Sequence, residues 1–70
     1  MRDPRVDPAN GDMLRLRDER ERHVLGTHVS VVRYFDVRRS GNLGERRCSL
    51  AAWRKWAASS EVVIAQRLDQ

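Results

Sequence analysis

Residues 29–37, VSVVRYFDV, constrain the fold more than any other stretch of the chain. Val29, Val31, Val32, Tyr34, Phe35 and Val37 are all β-branched or aromatic, the residue types that suit a pleated, half-buried surface. Val29, Val31, Phe35 and Val37 share one strand parity, and Val32 and Tyr34 share the other. Either face can therefore be the core. In a small, strongly bent barrel both parities can be partly buried. The preceding residues continue the strand pattern back to position 20, and Gly26-Thr27 is read as a break between strands near 20–26 and 29–37.

Around this stretch the punctuation is regular. Leu14 and Leu16 alternate with Arg15 and Arg17 in DMLRLR, which is strand period. A helix is the rival reading, because Arg15–Glu19, Arg17–Glu21 and Asp18–Arg22 stand at ion-pairing distance on a helix. Such a helix has no apolar residue between Leu16 and Val24, hence little face to bury, so two strands with a polar turn near Asp18-Glu19 are preferred. Residues 38–47, RRSGNLGERR, carry the turn chemistry of a hairpin loop. Ser49 is a natural N-cap. Leu50, Trp53, Trp56 and Ala57 then recur at helix spacing. Val62-Val63-Ile64 favour a last strand, EVVIAQ at 61–66, over the competing reading of one helix from 50 to 68, in which Ile64 and Leu68 extend the helical stripe. Asp3-Pro4 and Asp7-Pro8 keep residues 1–11 out of a helix, and this segment reads as a flexible arm before a single domain at 12–70.

With 70 residues there is room for one small core and little room for a large substrate cleft. No apolar run approaches a membrane span, and the N-terminus lacks the apolar region of a signal peptide. A single cysteine, Cys48, supports no disulfide framework and points to a reducing, cytoplasmic setting. Catalysis finds little support. His23, His28 and Cys48 show no metal-ligand or Cys–His spacing, and Gly41 and Gly44 lack the lysine and helix of a phosphate loop. The expected protein is non-enzymatic, with no cofactor, no metal and no membrane partner.

The charge is more telling. The net charge is +4, and among 14 cations only Lys55 is a lysine. Five arginines and two acids fall between positions 33 and 47, against four arginines and three acids between 15 and 22. A symmetric hairpin sets Arg38 opposite Arg47 and Arg39 opposite Arg46, an unfavourable like-charge arrangement that suits an anionic partner. The candidate nucleic-acid or acidic-partner residues are therefore Arg38, Arg39, Arg46 and Arg47, extended by Arg33, Arg15 and Arg17. Tyr34 and Trp56 are the candidate interface aromatics. On a helix Trp53 and Trp56 share a face while Arg54 and Lys55 point elsewhere, so WRKW is not an alternating stack-and-charge surface.

Four strands, a short helix and a fifth strand form the element order of a small SH3-like barrel, with a helical turn before the last strand. The run Gly11-Asp12-Met13-Leu14-Arg15, the V-R-Y of 32–34 and the closing SLAAWRKW resemble small hypothetical proteins of phages and prophages, over roughly residues 10 to 58. That resemblance implies a compact SH3-like barrel with a Trp-containing helix and a binding role. Some such proteins bind DNA. Others, anti-CRISPR proteins among them, block a host defence nucleoprotein. The function expected is binding of nucleic acid or a nucleoprotein complex; the alternative is inhibition of a host defence system through an acidic protein surface.

Overall fold

The computed structural model describes residues 2–17, 20–38 and 40–66. The chain is mainly β, with strands β1 (Met13–Leu16), β2 (Arg20–His28), β3 (Val31–Arg38) and β4 (Gly41–Ser49), helix α1 (Leu50–Ala57), and strand β5 (Val62–Gln66). All neighbours are antiparallel, and the order across the sheet is β4-β3-β2-β1-β5. The first four strands form a meander, and β5 returns to pair with β1. The expected turn at Asp18-Glu19 lies outside the described residues, and β5 rules out the rival single helix from 50 to 68.

The core decides which parity of β3 faces inward. Leu14, Val24, Val32, Tyr34, Trp53, Ala57 and Val62 form the buried cluster, with Leu16, Cys48, Leu50 and Trp56 packed around it. Val32 and Tyr34 are inside; Val31, Phe35 and Val37 lie half-buried on the outer face. The tryptophans explain the choice. Trp53 is fully buried, with its ring centroid 5.7 Å from Tyr34 and 5.3 Å from Trp56. Aromatic rings so tilted interact favourably beyond the area they bury. Ser49 caps α1, its side chain accepting from the Ala52 N–H at 3.0 Å, and the helix lays Trp53 and Ala57 onto the inner face.

Two turns differ from the sequence reading. The break in the second hairpin is at Val29-Ser30, not Gly26-Thr27. Val29 and Ser30 both have positive φ, 49° and 61°, so this is a two-residue primed turn built without glycine or asparagine. Near Gly26 there is only a register shift, between Val24 and Gly26, which leaves Leu25 unpaired inside a continuous β2. The third hairpin is also tighter than a loop over 38–47. Arg38 pairs directly with Gly41, and the register shift between Phe35 and Val37 is absorbed at Leu43-Gly44, where Gly44 has φ 101°.

The N-terminal segment, expected to be an arm, is packed on the domain. Pro4 and Pro8 are buried. The Trp53 indole donates to the Pro4 carbonyl at 3.0 Å. Arg5 donates to the Ala57 carbonyl at 2.8 Å and the Val62 carbonyl at 2.7 Å, tying α1 to β5. Arg54 donates to the Val6 carbonyl at 2.8 Å. Asp12, fully buried, is gripped by both terminal nitrogens of Arg2 and accepts from the Ala9 N–H at 2.8 Å. The prolines that exclude a helix also supply apolar surface and free carbonyls, and the core uses both. Among the described residues no helix is long and apolar enough to cross a membrane.

Candidate anion-binding site

Alternation along the strands sorts the arginines into two faces. On the outer face, Arg33 lies opposite Arg47. That like-charge pair is relieved by Glu45, which accepts two bonds from Arg33, at 2.8 and 3.0 Å. The Arg33 guanidinium holds the Glu45 carboxyl below its usual range, with Arg47 adding to the effect. Arg15 is similarly engaged: it donates to Glu21 at 3.0 Å, and Glu21 also meets His23 at 2.8 Å. His23 first, then Arg15, lowers the Glu21 pKa. Arg17 pairs with Glu61, whose pKa it lowers. These arginines are largely neutralised within the molecule.

The inner parity is different. Arg20 lies directly opposite Arg38, and Arg22 opposite Asp36. Cross-strand neighbours stand about 5 Å apart at Cβ, so Arg20 and Arg38 repel one another. Among the described residues no carboxylate forms an ion pair with Arg20, Arg22 or Arg38. Asp36 is their nearest candidate by register, but its ion-pair contact is with Arg46, at 3.9 Å. The Arg38 Nε is buried and has no hydrogen-bond partner. An unsatisfied buried donor on a charged group is costly.

Arg22 is the best positioned of the three. Its guanidinium carbon stands 4.0 Å from the Trp56 ring centroid and 4.6 Å from that of Tyr34. The rings hold it by cation–π attraction without neutralising it, leaving the N–H edges available. Leu16, Arg20, Arg22, Asp36 and Trp56 line a small pocket of about 80 Å³ here. A wider cleft of about 240 Å³, lined by Leu16, Arg17, Arg20 and Glu61, adjoins it through the shared Leu16 and Arg20.

The residues singled out from the sequence are therefore dispersed. Arg38 and Arg46 lie on the inner parity; Arg33, Arg47 and Arg15 lie on the outer face; Arg39 is outside the described residues. Arg38 does not face Arg47, because the hairpin turns at Arg38-Gly41. Tyr34 is buried and offers no stacking surface, and one face of half-buried Trp56 is occupied by Arg22. The residues that sequence reasoning missed are Arg20 and Arg22. Their signal was parity: they stand two and four residues before Val24, on the face that Val24 buries.

Nothing comparable gathers around the nucleophile candidate. Burial pushes the Cys48 thiol up, against a smaller opposing effect of Arg22. A protonated thiol is a poor nucleophile. Among the described residues no three His, Cys, Asp or Glu side chains are grouped to hold a metal ion. No protein-family model, curated protein or solved structure matches the chain.

Proposed function

We propose that this chain is a non-enzymatic binding module for nucleic acid, gripping backbone phosphate with Arg20, Arg22 and Arg38, while Arg47, which forms no ion pair among the described residues, adds to the net positive charge of the domain. One observation carries the reading: Arg20, Arg22 and Arg38 stand on one parity at one end of the sheet and, among the described residues, form no ion pair with a carboxylate, while most of the other described arginines are paired. Guanidinium groups are suited to bidentate phosphate contacts, and phosphate contacts position a strand without reading its sequence.

Fluorescence anisotropy with labelled single- and double-stranded oligonucleotides tests this. Affinity should fall with salt, with a log–log slope of about −2 to −3 for three phosphate contacts. Arg20→Ala combined with Arg38→Ala should weaken binding and flatten that slope. No binding at low salt rejects the proposal. A protein captured from host lysate that survives nuclease treatment would move the assignment to an acidic protein surface, the reading in which the chain inhibits a host defence complex.

A further inference from the structure

The proposed nucleic-acid role leaves open which part of a strand the inner arginines hold. We infer that the pocket of Leu16, Arg20, Arg22, Asp36 and Trp56 takes a terminal phosphomonoester of a nucleic-acid strand, an inference that rests on that role. Three features of the pocket carry it.

The first is shape. The pocket is small, about 80 Å³, and is backed by Trp56 with Arg22 stacked on it. Its neighbour, sharing Leu16 and Arg20, is the wider cleft of about 240 Å³. A small pocket adjoining a larger one suits a phosphate at the end of a strand, with the first nucleoside in the cleft over Leu16. An internal phosphodiester needs room for chain on both sides.

The second is charge. Arg20 and Arg22 are the two cations that line the pocket, and among the described residues neither forms an ion pair; Asp36, the acid in the lining, meets Arg46 at 3.9 Å, and Arg38 lies opposite Arg20 outside the lining. With Asp36 matched by Arg46, the two guanidiniums carry more positive charge than one phosphodiester monoanion balances. A monoester carries between about −1.5 and −2 at neutral pH and accepts through three terminal oxygens.

The third is rigidity at Arg22, whose guanidinium is held over the Tyr34 and Trp56 rings. A donor fixed before binding loses little freedom when the anion arrives. Asp36 opposes the anion, so the pocket is not at its maximum affinity.

The test compares one oligonucleotide bearing a 5′-phosphate, a 3′-phosphate or hydroxyls at both ends, by anisotropy at constant salt. One of the phosphorylated strands should bind about tenfold or more tighter than the hydroxyl strand. That advantage should shrink below about pH 6, where the monoester takes up a proton. Arg20→Gln, at an exposed position, should abolish the advantage. Asp36→Asn should raise affinity for the phosphorylated strand about fivefold by removing a like charge. Near-UV circular dichroism of the tryptophans checks that each variant is folded.

Equal affinity for all three strands overturns the inference and leaves the nucleic-acid role standing. A phosphate advantage that survives Arg20→Gln in a folded protein overturns the site. If no oligonucleotide binds, the broader role fails, and an NMR titration with inorganic phosphate then judges the pocket alone. Saturable shifts at Arg20 and Arg22 support it, and their absence refutes it.

Discussion

Replacing Val29-Ser30 by Asn-Gly should stabilise the protein. Both residues occupy the left-handed region, at φ 49° and 61°. For an L-residue that conformation costs roughly 1–2 kcal/mol, and a β-branched side chain there is a true outlier. Asn and Gly are the residues that two-residue primed turns favour. Little is lost in exchange, because Val29 is 79% exposed. The Ser30 carbonyl, which accepts from the Leu50 N–H at 2.7 Å, belongs to the backbone and is kept. Glycine adds freedom to the unfolded chain, which offsets about 0.5–1 kcal/mol. The net gain should be about 1 kcal/mol, or roughly 4–8 °C in Tm for a domain of this size. Thermal unfolding followed by tryptophan fluorescence measures it. Val63→Asn is the control: Val63 is 48% exposed but pairs with Arg15 in the β5–β1 ladder, so that change should destabilise. An unchanged or lowered Tm for the turn variant refutes the strain argument. The turn lies at the far end of β2 and β3 from Arg20 and Arg38, about 25 Å away along the strands, so anion binding should not change.

Three further outcomes are expected. Arg5→Ala removes two charge-assisted bonds, to the Ala57 and Val62 carbonyls, and should cost about 2–3 kcal/mol in urea unfolding; Arg5→Lys, which cannot fork, should recover only part. Trp53→Phe leaves the Pro4 carbonyl without its donor and a gap in the core, costing about 2–4 kcal/mol, and should speed proteolytic cleavage within residues 2–11. The pKa values of Glu21, Glu45 and Glu61 all lie below the ordinary 4.5 in the folded chain. Their contribution to stability is therefore present above that value and lost as pH falls through the folded pKa values. Unfolding measured from pH 6 to pH 2.5 should show this loss, and 1 M salt should reduce it because these pairs are exposed; a curve that rises toward acid would contradict the assignment.

How much of this was legible depended on whether a local pattern had one solution. The Ser49 cap and the Leu50–Trp53–Ala57 stripe admit one helix, and the helix is there. The alternation of Leu14 and Leu16 also admits one face. In β3, by contrast, apolar residues stand on both parities, and the inward face is chosen by Trp53, some twenty residues later, packing against Tyr34. The turn at Val29-Ser30 carries no turn residue, so strand chemistry masks it. Gly41 and Gly44 both signal a turn, but the chain turns between Arg38 and Gly41, which moves Arg47 away from Arg38, and Gly44 serves a bulge within β4.

The same reasoning explains why charge counted along the chain points to other arginines than the fold gathers on its inner parity. Charge counted along the chain dilutes Arg20 and Arg22 with Asp18, Glu19 and Glu21. On the folded strands Glu21 turns to the outer face, where Arg15 and His23 hold it, and cannot neutralise its sequence neighbours. The stretch at 33–47 errs in the opposite direction, since Arg33 is already matched by Glu45 across the ladder. In a five-stranded domain the unit that meets a ligand is one face of two or three adjacent strands. Residue i and residue i+1 contribute to different faces, so a segment with almost balanced charge can present a strongly basic surface. Arg20 and Arg22 gain their significance from Val24: once that valine is buried, both guanidiniums must lie on the face where the core ends and solvent begins.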